Sequence, residues 1–107
     1  MTGAVVLLNF LGAQGVKPRP GVIISTTLYH TTRPDYLVAL LTSKVPHATA
    51  PTDYVLQDWT AAGLHMASAF RTYLVTVDQQ DILRVIGKLS DRDWAEVQAR
   101  LRLAIAV

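Results

Sequence analysis

Two prolines enclose one arginine in Lys17-Pro18-Arg19-Pro20. Proline fixes its own φ and restricts the residue before it. A guanidinium on such a backbone is pre-positioned, and its planar fork suits a phosphate. An arginine at the exit of a loop is also an ordinary surface residue, and spacing alone does not separate the two. Thr42-Ser43 is the second candidate. Its hydroxyls can bond phosphate oxygens or merely close a strand. His30, His47 and His65 titrate near neutrality as a residue type, so two of them could form an acid/base pair. Their spacing matches no metal motif, and all three fall in segments read as loops, where histidines are usually solvated. Tyr29, Tyr54, Trp59, Phe70 and Tyr73 could stack on bases. Tyr54 and Tyr73 read better as core or sheet-face residues. Trp59, in a turn beside Asp58, reads as the exposed one. No phosphate-cradling glycine motif, nucleophile elbow or acidic metal cluster is evident.

The elements that must hold these residues are mostly strands. Val5 to Leu8 is a continuous apolar run, as in a strand buried on both faces. Leu11 to Val16 reads as a loop with Gly12 and Gly15, and Lys17 to Pro20 as its exit. Gly21 to Ser25 is a second strand, rich in β-branched residues. Thr26 to Pro34 is polar and irregular. Tyr36 to Thr42, Asp53 to Gln57 and Phe70 to Val77 read as further strands, and Ile82 to Leu89 as a sixth. Asp58 to Gly63 reads as a turn. Ser90 is an N-cap with Asp93 at N3, approximating a capping box. Trp94, Val97, Leu101, Ala104 and Ile105 then form one apolar helical stripe. Strands first and the one long helix last predict a small antiparallel barrel or curled sheet capped by a helix, not alternating βαβ units.

Composition narrows the classes. The 107 residues suit one domain, 1–107. Half are hydrophobic and 17% charged. That allows a real core and hints at a buried partner surface. The net charge of +2 permits an anionic ligand. Without cysteine there is neither a disulfide framework nor a thiolate metal site. The apolar runs are too short to span a bilayer, and no signal peptide is evident. The expectation is a cytoplasmic protein with no membrane association.

Several signals then coincide in one order. A first strand VVLLNF leads to K-x-R-P, then to GVIIS, a strand ending T-S, V-D-x-x-x-I-L, G-K-L-S and an amphipathic helix. This resembles the PemK/MazF family of toxins from toxin–antitoxin systems, over essentially the whole chain. The resemblance implies a mainly β fold, an SH3-like small antiparallel barrel with added helices, assembled as a homodimer. It implies a sequence-specific, metal-independent endoribonuclease toxin that needs no cofactor, cleaves single-stranded RNA and is neutralised by a cognate antitoxin. The family's catalytic arginine falls on Arg19 and its strand-end threonine on Thr42, with Ser43 alongside. Lys17 and Lys44 would attract the RNA backbone, and Gln14 in the loop would reach the bases. The sequence departs from the family pattern at Gly3-Ala4, where many members have glycine–aspartate. Leu11 to Pro18 also carries no acidic residue to supply a general base. The alternative is a catalytically silent or gyrase-poisoning toxin on the same barrel, acting by binding protein; a third is a plain structural or antitoxin-bound partner.

Overall fold

The computed structural model describes residues 1–107. Six strands run Ala4–Gly12 (β1), Gly15–Ile23 (β2), Asp35–Thr42 (β3), Tyr54–Val55 (β4), Ala69–Asp78 (β5) and Ile82–Lys88 (β6). Two helices, Thr27–Thr32 (α1) and Asp91–Ala104 (α2), complete the fold. The strands make one antiparallel sheet in the order β4-β5-β3-β2-β1-β6. The mainly β architecture with a C-terminal amphipathic helix is the expected one. The sheet is curled but open: β4 and β6 are its two edges, and no ladder joins them.

The expected loop from Leu11 to Val16 is instead the tip of a long hairpin. β1 and β2 pair from Val5↔Val22 to Gly12↔Gly15, so Lys17 to Pro20 lies inside a strand. Gly15, at φ +98°, supplies the left-handed turn position that L side chains avoid. Prolines normally argue against a strand, because they cannot donate to a ladder. Here parity resolves the conflict. Ile23 turns its carbonyl toward the first strand, accepting from Gly3 N, whereas Ile24 N donates to Leu37 O on the other side. Odd-numbered residues of β2 therefore bond β1, and even-numbered ones face β3. Pro18 and Pro20 fall on the β3 side, where pairing covers only Gly21–Ile23 with Val38–Leu40. The two strands part where the prolines begin.

Alternation gives the sheet two buried faces. Val5, Val22, Ala39, Leu41 and Phe70 lie on one, under Val97, Trp94 and Leu101 of α2. Val6, Leu8, Ile23, Val38 and Leu40 lie on the other, inside the curl. The curl is tightened by a bulge: Leu40 pairs Tyr73 but Leu41 pairs Phe70, leaving Arg71 and Thr72 extra. Thr72 sits at φ +58° and its hydroxyl donates to Thr52 O at 3.1 Å, fixing the kink.

The start of α2 is locked to the segment after β4. Ser90 caps the helix, accepting from Asp93 N at 3.3 Å. Asp93 does not reach back to complete a capping box. It is fully buried and accepts from Tyr54 OH (2.6 Å), Gln57 N (3.1 Å) and Asp58 N (2.8 Å). Burial, reinforced by the bond to Asp93, pushes the Tyr54 hydroxyl up to about 12. Asp58 in turn accepts from Arg92 through both Nε and Nη2 and from Ser90 Oγ.

Two further differences concern local chemistry. Thr26 to Pro34, read as irregular, contains α1, because the Thr26 hydroxyl caps Tyr29 N. β4 is only two residues long, although Leu56 N still donates to Ser68 O beyond it.

Candidate functional site

The parting of β2 and β3 makes a wedge, and two clefts open from it. The first, of about 380 Å³, is bounded by Pro18, Arg19 and Pro20 of β2, by Leu41 to Lys44 at the end of β3, and by the segment Gly63–Met66. Lys17 lines the same cleft. The second, of about 320 Å³, lies against Phe10, Gly12 and Ala13 of the hairpin and Arg71 and Tyr73 of the bulged strand. Arg19, Leu41, Thr42 and Lys44 line both clefts. The arginine and the threonine thus stand on opposite banks of one opening.

Each bank has a local cause. Arg19 is the cross-strand partner of Leu8, whose side chain is fully buried. Its own N–H faces β1, so its backbone is held by the one complete ladder in reach. The side chain itself is exposed. Thr42 is the last residue of β3 and pairs Ala69. Its Oγ1 accepts from Lys44 N at 3.1 Å. That bond uses one lone pair and leaves the hydroxyl proton to donate. Ser43 and Lys44 follow directly and are exposed.

Of the six residues expected at the site, Arg19, Thr42, Ser43, Lys17 and Lys44 come together. Gln14 does not line either cleft. It sits at the hairpin tip, where its Oε1 accepts from Lys17 Nζ at 3.0 Å. The side chains that line the clefts include four cations, Lys17, Arg19, Lys44 and Arg71, and no carboxylate. The chain's two ion pairs, Arg92–Asp58 and Arg100–Glu96, involve none of them. A positive opening with hydroxyl donors can hold a phosphodiester and stabilise charge that grows on its oxygens.

The aromatic residues sort as expected at Tyr54 and differently at Trp59 and Tyr73. Tyr54 and Phe70 are buried and Trp59 packs against the core below α2. Tyr73 is the exposed one, at 50% of its surface, with Phe10 edge-on at 5.7 Å between ring centroids. Strand alternation places Arg71 and Tyr73 on a different face from buried Phe70; that alternation was the available signal. The bulge that turns them toward the second cleft has no local signature.

The three histidines also separate. His30 packs against Tyr36, with ring centroids 4.5 Å apart, and its Nε2 lies 2.5 Å from Ser25 Oγ. Burial holds its pKa below the ordinary value of 6.5. His47 lies in a short 3-10 turn outside both clefts. His65 lines the first cleft.

Comparison with known proteins follows the same lines. The fold is similar to an endoribonuclease in complex with its cognate antitoxin from mycobacterial species, with a TM-score of 0.77 and 17% identity over 97% of this chain and 92% of that one. It is similar to the Mycobacterium tuberculosis toxin MazF-mt6, with a TM-score of 0.77 and 19% identity over 94% of each chain. A MazE–MazF complex from Deinococcus radiodurans aligns with a TM-score of 0.74 and 20% identity over 98% and 96% of the two chains. At these identities the structures speak for the fold alone. No curated protein sequence matches the chain. The sequence itself, however, matches one family over residues 1–105, nearly its full length. The chain belongs to the PemK-like, MazF-like toxins of type II toxin–antitoxin systems.

Proposed function

We propose that the chain is a sequence-specific, metal-independent endoribonuclease that cleaves single-stranded RNA. The observation that carries the reading is the wedge, with Arg19 and Thr42 on its two banks and no carboxylate in either cleft. RNA brings its own nucleophile, the 2′-hydroxyl, so the protein needs no serine or cysteine nucleophile. Attack on the adjacent phosphorus builds negative charge on the phosphate oxygens. Arg19 stabilises that charge with its fork, and Thr42 and Ser43 hold the phosphate through their hydroxyls. Lys17 and Lys44 draw in the flanking backbone. Tyr73 and Phe10 offer a stacking platform for an unpaired base in the second cleft, which favours single strands over duplex.

Partners follow from the family. Structures with this fold include an endoribonuclease with its cognate antitoxin and a MazE–MazF complex. A cognate antitoxin with an acidic segment would occupy the same positive wedge and exclude RNA. Leu83 and Val85 are exposed on the edge strand β6 and Leu74 on β5, apolar side chains that a homodimer could cover.

The test is cleavage of a single-stranded RNA by the purified protein in the presence of EDTA, wild type against Arg19→Ala. Loss of a fixed transition-state donor typically lowers the rate about 10²–10³-fold. Arg19→Lys should lose most of the activity too, because an ammonium cannot form the fork. Undiminished cleavage by a folded Arg19→Ala protein would refute the assignment.

A further inference from the structure

We propose that His65 is the general base of the first cleft, taking the proton of the attacking 2′-hydroxyl. The inference rests on the reading of the chain as an endoribonuclease and adds the group that reading lacks. Lys17 and Arg19 from β2, with Lys44 beyond β3, are the charged side chains around the cleft. The second cleft adds Arg71. Lysine and arginine, as residue types, are cations near neutrality and offer no base. The hydroxyls of Thr42 and Ser43 are poor bases in the same range. β6 contributes Ile86, which does not titrate, and the segment Gly63–Met66 adds no other ionisable group. Histidine is the residue type that both accepts and releases a proton near pH 7. His65 is the one such side chain in the cleft.

Its backbone is held unusually firmly for a segment outside the regular strands and helices. Gly63 stands at φ +86°, and a Cβ there would lie 2.0 Å from Ile86 O. Gly87 answers from β6, where a Cβ would lie 2.2 Å from Ala62 O. The two glycines let the segment touch the sheet backbone to backbone. Leu64 N donates to Trp59 O, and Leu64 is buried. Four residues on, buried Ser68 donates from Oγ to Met66 O at 3.0 Å, and its carbonyl accepts from Leu56 N. His65 is exposed between these two anchors. The pinned backbone keeps the imidazole within reach of the cleft it lines.

The step balances. The imidazole takes the 2′-hydroxyl proton as the O2′–P bond forms. The P–O5′ bond breaks, leaving a 2′,3′-cyclic phosphate on one fragment and an O5′ alkoxide on the other. Water protonates that oxygen, and the hydroxide produced recovers the proton from the imidazolium. The protein returns to its starting state, and no water is consumed.

The experiment measures single-turnover cleavage of one single-stranded RNA by the full chain from pH 5 to 9. It compares wild type, His65→Ala, His65→Gln and Arg19→Ala, each with and without added imidazole. Both His65 variants should fold as wild type does, because the side chain is exposed. Their rate should fall by about 10²–10⁴. The acidic limb of the wild-type pH profile should vanish. Imidazole should restore part of the His65→Ala rate and none of the Arg19→Ala rate. The proposal is overturned if the His65 variants keep the wild-type rate and profile, if only KM changes, or if imidazole fails to restore cleavage. Wild-type protein that cleaves no RNA would instead overturn the endoribonuclease reading, and the role of His65 with it.

Discussion

Asp93→Asn is the sharpest test of how α2 is held. Oδ1 of Asp93 accepts from Tyr54 OH and Gln57 N, and Oδ2 from Asp58 N. All three partners donate. An asparagine keeps one acceptor oxygen and turns an amide N–H₂ toward the remaining donor. If the amide oxygen stays on Tyr54 and Gln57, Asp58 N–H faces another donor. The substitution then removes one charge-assisted bond and leaves a part-buried N–H unpaired. Together these cost about 3 kcal/mol, from about 1.5–3 for the bond and about 1–3 for the stranded donor. In a domain of this size that lowers Tm by about 10–20 °C. Thermal unfolding followed by circular dichroism reads it directly. Tyr54→Phe should cost less, and the two substitutions should not add, because both residues belong to one hydrogen-bond network. A Tm for Asp93→Asn within about 3 °C of wild type, the range of a neutral surface change, would refute the argument.

The other expectations are read in solution. Arg92 and then Ser90 hold the Asp58 carboxyl at about 2, below its ordinary 3.8. The native state therefore binds fewer protons there, and the stabilisation is present above about pH 4 and lost as pH falls toward 2. Acid unfolding should show that loss, and Asp58→Asn should flatten it. Lys17→Ala should lower the salt slope of RNA binding by less than one unit, since a single-strand phosphate contact contributes about −0.7. Gln14→Ala removes a side-chain amide that would read base edges, so it should shift which sequences are cut while leaving Tm unchanged. Tyr73→Ala should weaken binding of single-stranded RNA by about 1–3 kcal/mol, measured by titration at fixed salt, if the ring carries a stacked base.

Much of this fold could be read along the chain. The apolar runs Val5–Leu8 and Tyr36–Leu41 named their strands, and the Trp94–Val97–Leu101 spacing named the helix and its buried face. Those signals are local and periodic. The hairpin was harder, because Pro18 and Pro20 argue for a loop unless one knows that the strand beside them has turned away. The bulge at Arg71-Thr72 was harder still, since it follows from the pairing of Leu40 and Leu41 with a distant strand. The same division holds for the site. Arg19, Thr42 and Ser43 carry a motif. Tyr73 and His65 reach the clefts only because remote elements bend or pin their backbones.

The wedge has one more consequence. Even-numbered residues of β2 turn their backbone groups into it, and at Pro18 and Pro20 those groups are carbonyls with no N–H beside them. That stretch of edge can receive hydrogen bonds but cannot give them. A foreign strand laid along it would complete half a ladder and meet the charges of Lys17 and Arg19. An interior gap in a sheet would otherwise be a template for unwanted pairing between copies. Here the imino acids that hold the gap open also make it a poor surface for another strand to copy. A nucleic acid loses nothing by this, because its phosphates need only the side-chain donors on the banks.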